Sequence, residues 1–332
     1  MKKDTETNQS YQSEIIRNTL RRFPTSSQRG LARYLVATHG GMFQTYNQAR
    51  QALRWHSGKR TGGDNRRVAN PVKHEPYSLM PRQEQIKREP YILRKGLWGI
   101  VPDLHVPYHE EKPLTKTLEW FKDSKVTGII FVGDFQDNES IGFWRPSRRR
   151  NFLNEVEKTC DMLDMFRREF PKQKIIWQQG NHEDRLAAYY RHYAPELADL
   201  PTADMETILS LRKRKIELLE PKQKIKLHNF AILHGHELRG TYTPVGPARW
   251  AFMKMKACGA VAHFHTPDQY AKKDIQGRLI ATWAFGCLCD LEPDYNPYGN
   301  DWSWGCAIMD YTDGRNWEMH NRRITPTGRI VP

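Results

Sequence analysis

Long hydrophobic runs are absent from this sequence of 332 residues, and its mean hydropathy is −0.77. A helix that crosses a bilayer needs about 20 consecutive apolar residues, and no segment of the chain provides them. The N-terminal stretch MKKDTETNQSYQSE also lacks the apolar region of a secretory signal peptide. The sequence therefore predicts a cytoplasmic protein without a membrane partner.

Cysteine is scarce: the chain has five cysteines and no CxxC pair. An odd number without paired spacing is not typical of a disulfide framework or of a zinc site built from cysteines. We therefore expect free thiols. Cys287 and Cys289 alternate in an apolar run, which predicts that both pack into the core from one strand.

Acidic residues are few in the N-terminal part of the chain. Residues 1–95 contain 19 Lys and Arg but 7 Asp and Glu, a net charge of +12 within a total of +14. The remaining residues contain 33 against 31 and are nearly neutral. A positive charge concentrated in one segment indicates a polyanionic partner, and we expect that partner to be DNA.

Composition divides the chain into three zones. Residues 1–67 predict a small basic helical domain, and residues 68–95 predict a proline-rich linker. Residues 96–332 predict a larger α/β domain, because short apolar runs alternate there with amphipathic helical patterns.

The first zone has the signals of a helix-turn-helix followed by a wing-like basic loop. Ser26 or Ser27 is placed to cap the second helix, and Thr45 to cap the third. The segment Thr45–His56 would be the recognition helix. The alternative is a basic domain that docks onto another protein or onto the same chain. The expected nucleic-acid contacts are Arg50, Arg54, Lys59, Arg60, Arg66 and Arg67.

Five apolar runs in the larger zone end in side chains that can bind metals. Because the carboxyl ends of strands in an α/β sheet gather at one edge, side chains that follow five strands can converge. A single histidine there would be typical of a structural residue, but five ordered motifs indicate a site. The motifs are Asp103-Leu104-His105, Gly133-Asp134-Phe135-Gln136-Asp137, Gly180-Asn181-His182-Glu183, His234-Gly235-His236 and His263-Phe264-His265.

The order D-x-H, G-D-x-x-D, G-N-H-E, H-G-H and H-x-H resembles the calcineurin-like metallophosphoesterase superfamily over about residues 97–317. The stretches GNHEDR, GCLCDLEPDYNPY and NDWSWG also resemble a subgroup encoded by bacteriophages and prophages. The resemblance implies a four-layer α/β/β/α sandwich and a hydrolase with two divalent metal ions. A phage origin would place the protein in the host cytoplasm.

The resemblance also implies a role for each motif residue. Mixed carboxylate, imidazole and amide ligands suit Mn²⁺, Fe or Zn²⁺ better than Ca²⁺, and we expect Mn²⁺. His182 is expected to be the general acid, with Asp137 as its orienting partner or, alternatively, as a helix N-cap. His236 is expected to support the ligands, and Glu183 to start a helix. The implied ligands are Asp103, His105 and His265 for one ion, Asn181, His234 and His263 for the other, and Asp134 as the bridge.

The chain departs from the superfamily pattern at two positions. Ala262 stands where glycine usually precedes H-x-H, and Asn138 stands where Ser/Thr protein phosphatases have an arginine that holds phosphoryl oxygens. The second departure argues against a protein phosphatase, unless a remote arginine substitutes. Arg185 is one candidate, and Arg148 and Arg149 are others, although they also fit a solvated charged loop.

Together these features predict a dinuclear metal-dependent phosphoester hydrolase that acts on nucleic acid as a phosphodiesterase or nuclease. Two alternatives stay open. One is a phosphomonoesterase that acts on phosphoproteins or small phosphates. The other is a DNA-binding regulator whose metal domain is only structural, which His182 disfavours because a scaffold needs no general acid.

Overall fold

The computed structural model describes residues 2–57, 87–142, 151–200, 203–240, 245–294 and 296–332. The chain divides into two compact units, with the boundary between Ile86 and Lys87. The predicted linker limit at residue 67 stays a prediction, because residues 58–86 lie outside the described ranges, whereas the last linker residues, 87–95, belong to the larger unit and include a short strand at Tyr91–Ile92. Among the helices that the structure describes, none is both long and apolar enough to cross a membrane.

Three helices form the described part of the N-terminal unit. They are α1 (Lys2–Arg22), α2 (Gln28–Thr38) and α3 (Tyr46–His56). The predicted caps are confirmed, because the Ser27 hydroxyl accepts a hydrogen bond from the Gly30 amide at the start of α2. The Thr45 hydroxyl does the same for the Gln48 amide at the start of α3.

A small core holds these helices together. Leu35 of α2 and Leu53 of α3 are fully buried in one cluster with Phe43 from the connecting turn. Arg50 and Arg54 lie on α3 and are half-buried. The wing-like loop that the sequence predicts, with Lys59, Arg60, Arg66 and Arg67, lies outside the described residues.

The larger unit contains the rest of the described helices and all of the described strands. The helices are α4 (Glu111–Asp123), α5 (Phe152–Glu169), α6 (Asp184–Tyr193), α7 (Met205–Ile208) and α8 (Pro247–Met255). The strands are β1 (Tyr91–Ile92), β2 (Leu97–Val101), β3 (Gly128–Val132), β4 (Lys174–Gln178), β5 (Ile216–Leu218), β6 (Ile225–Leu227), β7 (Phe230–Leu233), β8 (Cys258–Val261), β9 (Asp268–Lys273), β10 (Leu279–Ala284), β11 (Gly305–Asp310), β12 (Glu318–Ile324) and β13 (Ile330–Val331).

These strands form two mixed sheets. The first has the order β13-β12-β11-β2-β3-β4-β5, and its strands β2, β3, β4 and β5 are parallel. The second has the order β1-β6-β7-β8-β10-β9, with β7 and β8 parallel. The mixed α/β class with two sheets is therefore confirmed.

Hydrophobic clusters fix the order of the layers. Successive side chains of a strand point to opposite faces, so Ile129 of β3 packs towards Phe121 and Phe166 of the helices α4 and α5. Its neighbour Ile130 packs towards the second sheet, where Phe230 of β7 is buried. The helix α8 covers the outer face of that second sheet. The layers thus run helices, sheet, sheet, helix, which explains why β3 is apolar along its whole length.

The five predicted motifs follow strands of both sheets. Three of them follow β2, β3 and β4 of the first sheet, and two follow β7 and β8 of the second. Contacts between the two groups place all five at one end of the sandwich. In particular, Nδ1 of His234, after β7, lies 2.8 Å from the carbonyl oxygen of Val132 at the end of β3. The site is therefore shared between the sheets.

Candidate metal centre

The loops after these strands adopt an uncommon backbone conformation. Asp103, His105, Asp134, His263 and His265 all have positive φ angles, between 32° and 69°. For residues other than glycine this region costs roughly 1–3 kcal/mol and persists where the surroundings fix it, often at functional sites. Each loop turns sharply there and directs its side chain towards a common point.

One group of potential ligands gathers around His105. Its Nε2 lies 3.3 Å from Nε2 of His265, and Nε2 of His265 lies 3.3 Å from Oδ1 of Asp103. Oδ2 of Asp134 is 3.9 Å from Nε2 of His105. Asp103, His105 and Asp134 together can hold a cation, since their ligand atoms lie within 4.8 Å of one another.

A second group gathers around His234. Its Nε2 lies 3.1 Å from Oδ2 of Asp134 and 3.1 Å from Oδ1 of Asn181. The ligand atoms of Asp134, His234 and His263 also lie within 4.8 Å of one another. Asp134 belongs to both groups, so the structure brings together all seven residues that the sequence predicts as ligands.

The hydrogen bonds around these rings leave acceptor atoms facing each other. Nδ1 of His105 contacts the Asp137 carboxylate at 2.8 Å, and Nδ1 of His234 contacts a backbone carbonyl. Both contacts place a ring proton on Nδ1, so Nε2 is the nitrogen of each ring that faces the centre and can bind a cation. Burial and the proximity of His234 lower the pKa of His263 to about 3, and burial with the proximity of His182 lowers the pKa of His265 to about 3, which keeps these rings neutral.

Converging acceptors need a positive charge between them. Two nitrogens bound to one cation at about 2.1 Å lie roughly 3–3.4 Å apart, which matches the distance between the Nε2 atoms of His105 and His265. The second group also needs a positive charge near its ligand atoms. Although burial lowers the pKa of His234, the Asp134 carboxylate raises it to about 10. The residues present therefore fit a pair of divalent cations.

Cys289 also borders the first group. Both Cys287 and Cys289 are buried, which confirms the core packing that the sequence predicts. The Cys289 sulfur lies within 4.8 Å of ring nitrogens of His105 and His265. Burial and the neighbouring Cys287 raise the pKa of the Cys289 thiol well above its usual range, so the group is a neutral thiol. The alternating apolar pattern of the sequence predicts that Cys289 is buried but not that it lies beside the metal ligands.

His182 lies at the edge of the centre and belongs to neither group that contains Asp134, although its ring lies within 4.8 Å of ligand atoms of His105 and Asp137. Its Nδ1 is 2.8 Å from the backbone carbonyl of Asp137, and its Nε2 is 3.9 Å from Oδ2 of Asp134. Burial lowers the pKa of His182, but the carboxylates of Asp134 and Asp137 outweigh it and raise that pKa. The ring is thus placed to hold a proton on the side that faces the centre.

The Arg185 guanidinium competes with that proton for Nε2 of His182. Its Nη2 lies 3.0 Å from Nε2 of His182, and its Nη1 donates to the carbonyl of Asp137 at 2.9 Å. A guanidinium group only donates, so Arg185 and a proton cannot both occupy Nε2. Protonation of His182 therefore requires the guanidinium to move, and about a quarter of the Arg185 side chain is exposed (26%).

Asp137 contacts both histidines, with different atoms. Its carboxylate is closest to His105, at 2.8 Å, and lies 3.5 Å from Nδ1 of His182, which instead meets the Asp137 carbonyl. Asp137 thus orients the His105 ring with its carboxylate, in addition to contacting His182, the partner that the sequence predicts for it. The N-cap alternative gains no support, because the next 3₁₀ helix (Glu139–Ile141) begins after Asn138 and has no side-chain cap.

Asn138 has a role of its own in this structure. It adopts a left-handed φ of 56°, and its side-chain amide donates to the carbonyl of His182 at 3.0 Å. An arginine there would lose this support for the His182 loop. Arg185 contacts the His182 ring beside the centre, whereas Arg148 and Arg149 lie outside the described residues.

Glu183 ties two of the loops together. Its buried carboxylate accepts hydrogen bonds from the amides of Asp134, Phe135 and Gly180 at 2.7–2.9 Å, and a longer one from Gln136. The helix α6 begins at the next residue, as expected. The sequence analysis missed the clamp itself. An acid followed directly by an amphipathic helix looks like a helix start, and nothing local reveals amides that come from another loop.

Two further aromatic side chains border the ligands. The His236 ring lies 5.3 Å from that of His234, in keeping with the supporting role expected for it. The Trp302 ring lies 4.0 Å from that of His265 and was not predicted, because the two residues are far apart in sequence. Both contacts limit how the ligand rings can turn.

No family model and no curated protein matches the chain. Among solved structures, the phosphoesterase Yfce from E. coli is 14% identical with a TM-score of 0.35, and the alignment covers 71% of this chain and 97% of that one. Vps29 from Chaetomium thermophilum is 13% identical with a TM-score of 0.36, covering 71% and 94%. A dimetal phosphatase from Danio rerio is 11% identical with a TM-score of 0.33, covering 71% and 96%. These likenesses are weak, so the function proposed below depends on the geometry of the site.

Proposed function

We propose that the chain is a dinuclear metal-dependent phosphodiesterase that cleaves nucleic acid. The observation that carries this proposal is the position of Asp134, whose carboxylate belongs to two separate groups of potential metal ligands. Asp103, His105 and His265 complete one group, and Asn181, His234 and His263 complete the other. A purely structural metal site would not need two adjoining groups with a shared carboxylate.

Two divalent cations held by these residues would supply Lewis acidity for a phosphoryl group and an activated water nucleophile. Mn²⁺ is the ion that we propose, with Fe or Zn²⁺ as alternatives for the same ligand set. The chain's own residues would then manage the leaving group. Once protonated on Nε2, His182 would donate that proton to the departing oxygen, a step that contributes roughly 10²–10⁴-fold to the rate.

Asp137 and Arg185 support this step. The Asp137 carbonyl accepts from Nδ1 of His182, which leaves Nε2 as the nitrogen that can donate towards the centre. When His182 is protonated, the Arg185 guanidinium leaves Nε2 and is free to meet a phosphoryl oxygen, a pairing that guanidinium groups favour. Arg185 thereby takes the part of the arginine that is missing at position 138.

The nucleic-acid substrate is supported by charge. Residues 1–95 have a net charge of +12, and a phosphodiester backbone is the polyanion that such a segment suits best. We also propose that α2 and α3 form a DNA-binding helix-turn-helix with α3 as the recognition helix. Its cap at Thr45, its turn around Phe43 and the half-buried Arg50 and Arg54 fit that use.

The substrate proposal is tested with two chromogenic esters. In Mn²⁺ buffer, the full chain should hydrolyse bis-p-nitrophenyl phosphate with a higher kcat/KM than p-nitrophenyl phosphate. The reverse preference would favour the phosphomonoesterase alternative. No hydrolysis of either ester by protein that contains two metal ions would favour the DNA-binding regulator.

The DNA-binding proposal has a separate test. Replacement of Arg50 and Arg54 by Gln in the full chain should weaken duplex DNA binding and reduce the salt dependence by about one unit of slope per lost phosphate contact. The matched control replaces Lys272 and Lys273, exposed cations on β9, by Gln. Equal effects of the two double variants would contradict a specific role for α3.

A further inference from the structure

We propose that α6 carries a track for single-stranded nucleic acid, on which bases next to the scissile phosphate stack against Tyr189 and Tyr193. This proposal deepens the proposed function, on which it rests, by naming the form of the substrate. It starts from the place where α6 begins. The helix follows His182 and Glu183 directly, so its first turn lies at the metal centre.

One face of α6 leads away from that centre. Residues four apart lie on the same side of a helix and are about 6 Å apart along its axis. Arg185, Tyr189 and Tyr193 are spaced in this way. Arg185 is in contact with His182, so the stripe begins with a cation at the proposed acid and continues with two aromatic rings.

The two rings are exposed. Tyr189 is 40% exposed and Tyr193 is 70% exposed, whereas Leu186 and Tyr190 of the same helix pack towards the core. The fold of the larger unit therefore does not need these two rings for its core. The tyrosine ring has a π-face that a base can cover, and such contacts strengthen the binding of single strands.

The ring geometry limits how the bases can lie. The centroids of Tyr189 and Tyr193 are 5.1 Å apart, with their planes tilted by 44°. Stacked bases are roughly 3.4 Å apart, so a base inserted between two rings would need a separation of about 7 Å. Each ring therefore takes a base on its outer face. The faces of bases in a duplex are covered by their neighbours, which is why the occupant must be single-stranded.

A protein partner is the competing occupant. Leu197 and Leu200 follow α6 and are each 47% exposed, so the apolar surface extends beyond the rings. The position of Arg185 between the proposed acid and the rings favours nucleic acid, because a phosphate at the centre and bases beyond it match that order of charge and ring. Leu197 provides the control, since an aliphatic side chain contributes to a protein interface but not to base stacking.

The test compares substrates in the full chain with Mn²⁺. We expect Tyr189→Ala with Tyr193→Ala to lower the ratio of kcat/KM for a single-stranded octanucleotide to kcat/KM for bis-p-nitrophenyl phosphate by at least about 10-fold. The pair Tyr189→Phe and Tyr193→Phe, which keeps both rings, should retain the wild-type ratio, as should Leu197→Ala. With an octanucleotide of abasic sites, the alanine and wild-type proteins should have the same ratio.

An unchanged ratio in the alanine variant would overturn the proposal, and so would an equal loss in Leu197→Ala or full activity on the abasic strand. A second readout separates this proposal from the hydrolase assignment. Binding to the wild-type chain should quench a strand that contains 2-aminopurine, through stacking on tyrosine, and the alanine variant should not quench it. If the chain hydrolyses neither ester, the proposed function fails while this quenching still decides the stacking; no quenching by the wild-type chain would overturn the track.

Discussion

The side chains around Asp134 are of two kinds: those that form the two ligand groups, and those that hold the ligand rings in place. His182 belongs to neither set, because its Nε2 points towards the centre while its Nδ1 is held by a carbonyl. Proton transfer and metal binding therefore depend on different residues. The effects of a substitution on kcat and on metal content can be measured separately.

The first prediction at this scale concerns His182→Asn. We expect kcat for a dinucleotide to fall roughly 10²–10⁴-fold while elemental analysis still finds two metal ions per chain. The loss should be smaller for bis-p-nitrophenyl phosphate, because p-nitrophenolate leaves without a proton. His228→Asn changes an exposed histidine elsewhere and should retain wild-type kinetics. Loss of the metal ions in His182→Asn would show that His182 is a ligand.

The second concerns Glu183→Gln. The amide nitrogen of glutamine would face two of the backbone N–H donors that the carboxylate now satisfies. We expect the free energy of unfolding to fall by about 1–3 kcal/mol and Mn²⁺ affinity to weaken, because the loop with Asp134 loses its clamp. The control is Asp184→Asn, which changes the next residue, at a partly exposed position. Urea denaturation measures the free energy of unfolding, and metal titration measures the Mn²⁺ affinity. Equal losses in both variants would contradict the clamp.

At the same scale, the sequence predicts residues whose role follows from a local motif and misses those whose role depends on distant contacts. The seven ligand positions come from short motifs after apolar runs. Glu183, Trp302 and Cys289 act through amides or rings that belong to other segments. No local spacing contains that information, because it arises when the loops meet in space.

At the scale of elements, apolar runs predict the strands well, whereas their assignment to sheets depends on long-range pairing. The sequence does not show that β11 pairs with β2, since those two segments are about 200 residues apart, whereas β12 follows β11 directly along the chain. The helix ends are more local. Their signals are side-chain caps, and those at Ser27 and Thr45 are confirmed by hydrogen bonds within one turn.

The cap at Thr45 gives a prediction for α3. Thr45→Ala removes the hydroxyl that accepts from the Gln48 amide, which should lower the stability of the helix by about 1 kcal/mol. Thr38→Ala is the matched control, because the Thr38 hydroxyl only donates to a carbonyl within α2 and alanine is the better helix former. Hydrogen exchange of the α3 amides should become about 5-fold faster in the first variant alone. Equal exchange rates in the two variants would mean that the cap contributes little.

At the scale of the whole molecule, metal binding should stabilise one unit and not the other. All seven proposed ligands belong to residues 87–332, where Asp103 and Asp134 are buried carboxylates close to each other. Desolvation, with the charge of Asp134, raises the pKa of Asp103 to about 7, which shows how poorly the protein alone compensates these charges. Ions that bind only the folded state add RT ln(1 + [L]/Kd), about 2.7 kcal/mol at 100 times Kd.

We therefore expect Mn²⁺ to raise the unfolding temperature of the larger unit in proportion to the logarithm of its concentration, and EDTA to reverse the shift. Hydrogen exchange in α2 and α3 should stay the same throughout, because their core around Leu35 and Leu53 contains no ligand. Asp134→Ala removes the shared carboxylate and should abolish the shift. A shift that persists in this variant would place the stabilising ions elsewhere, whereas a shift of half the size would mean that the two ligand groups fill independently and that Asp134 does not bridge them.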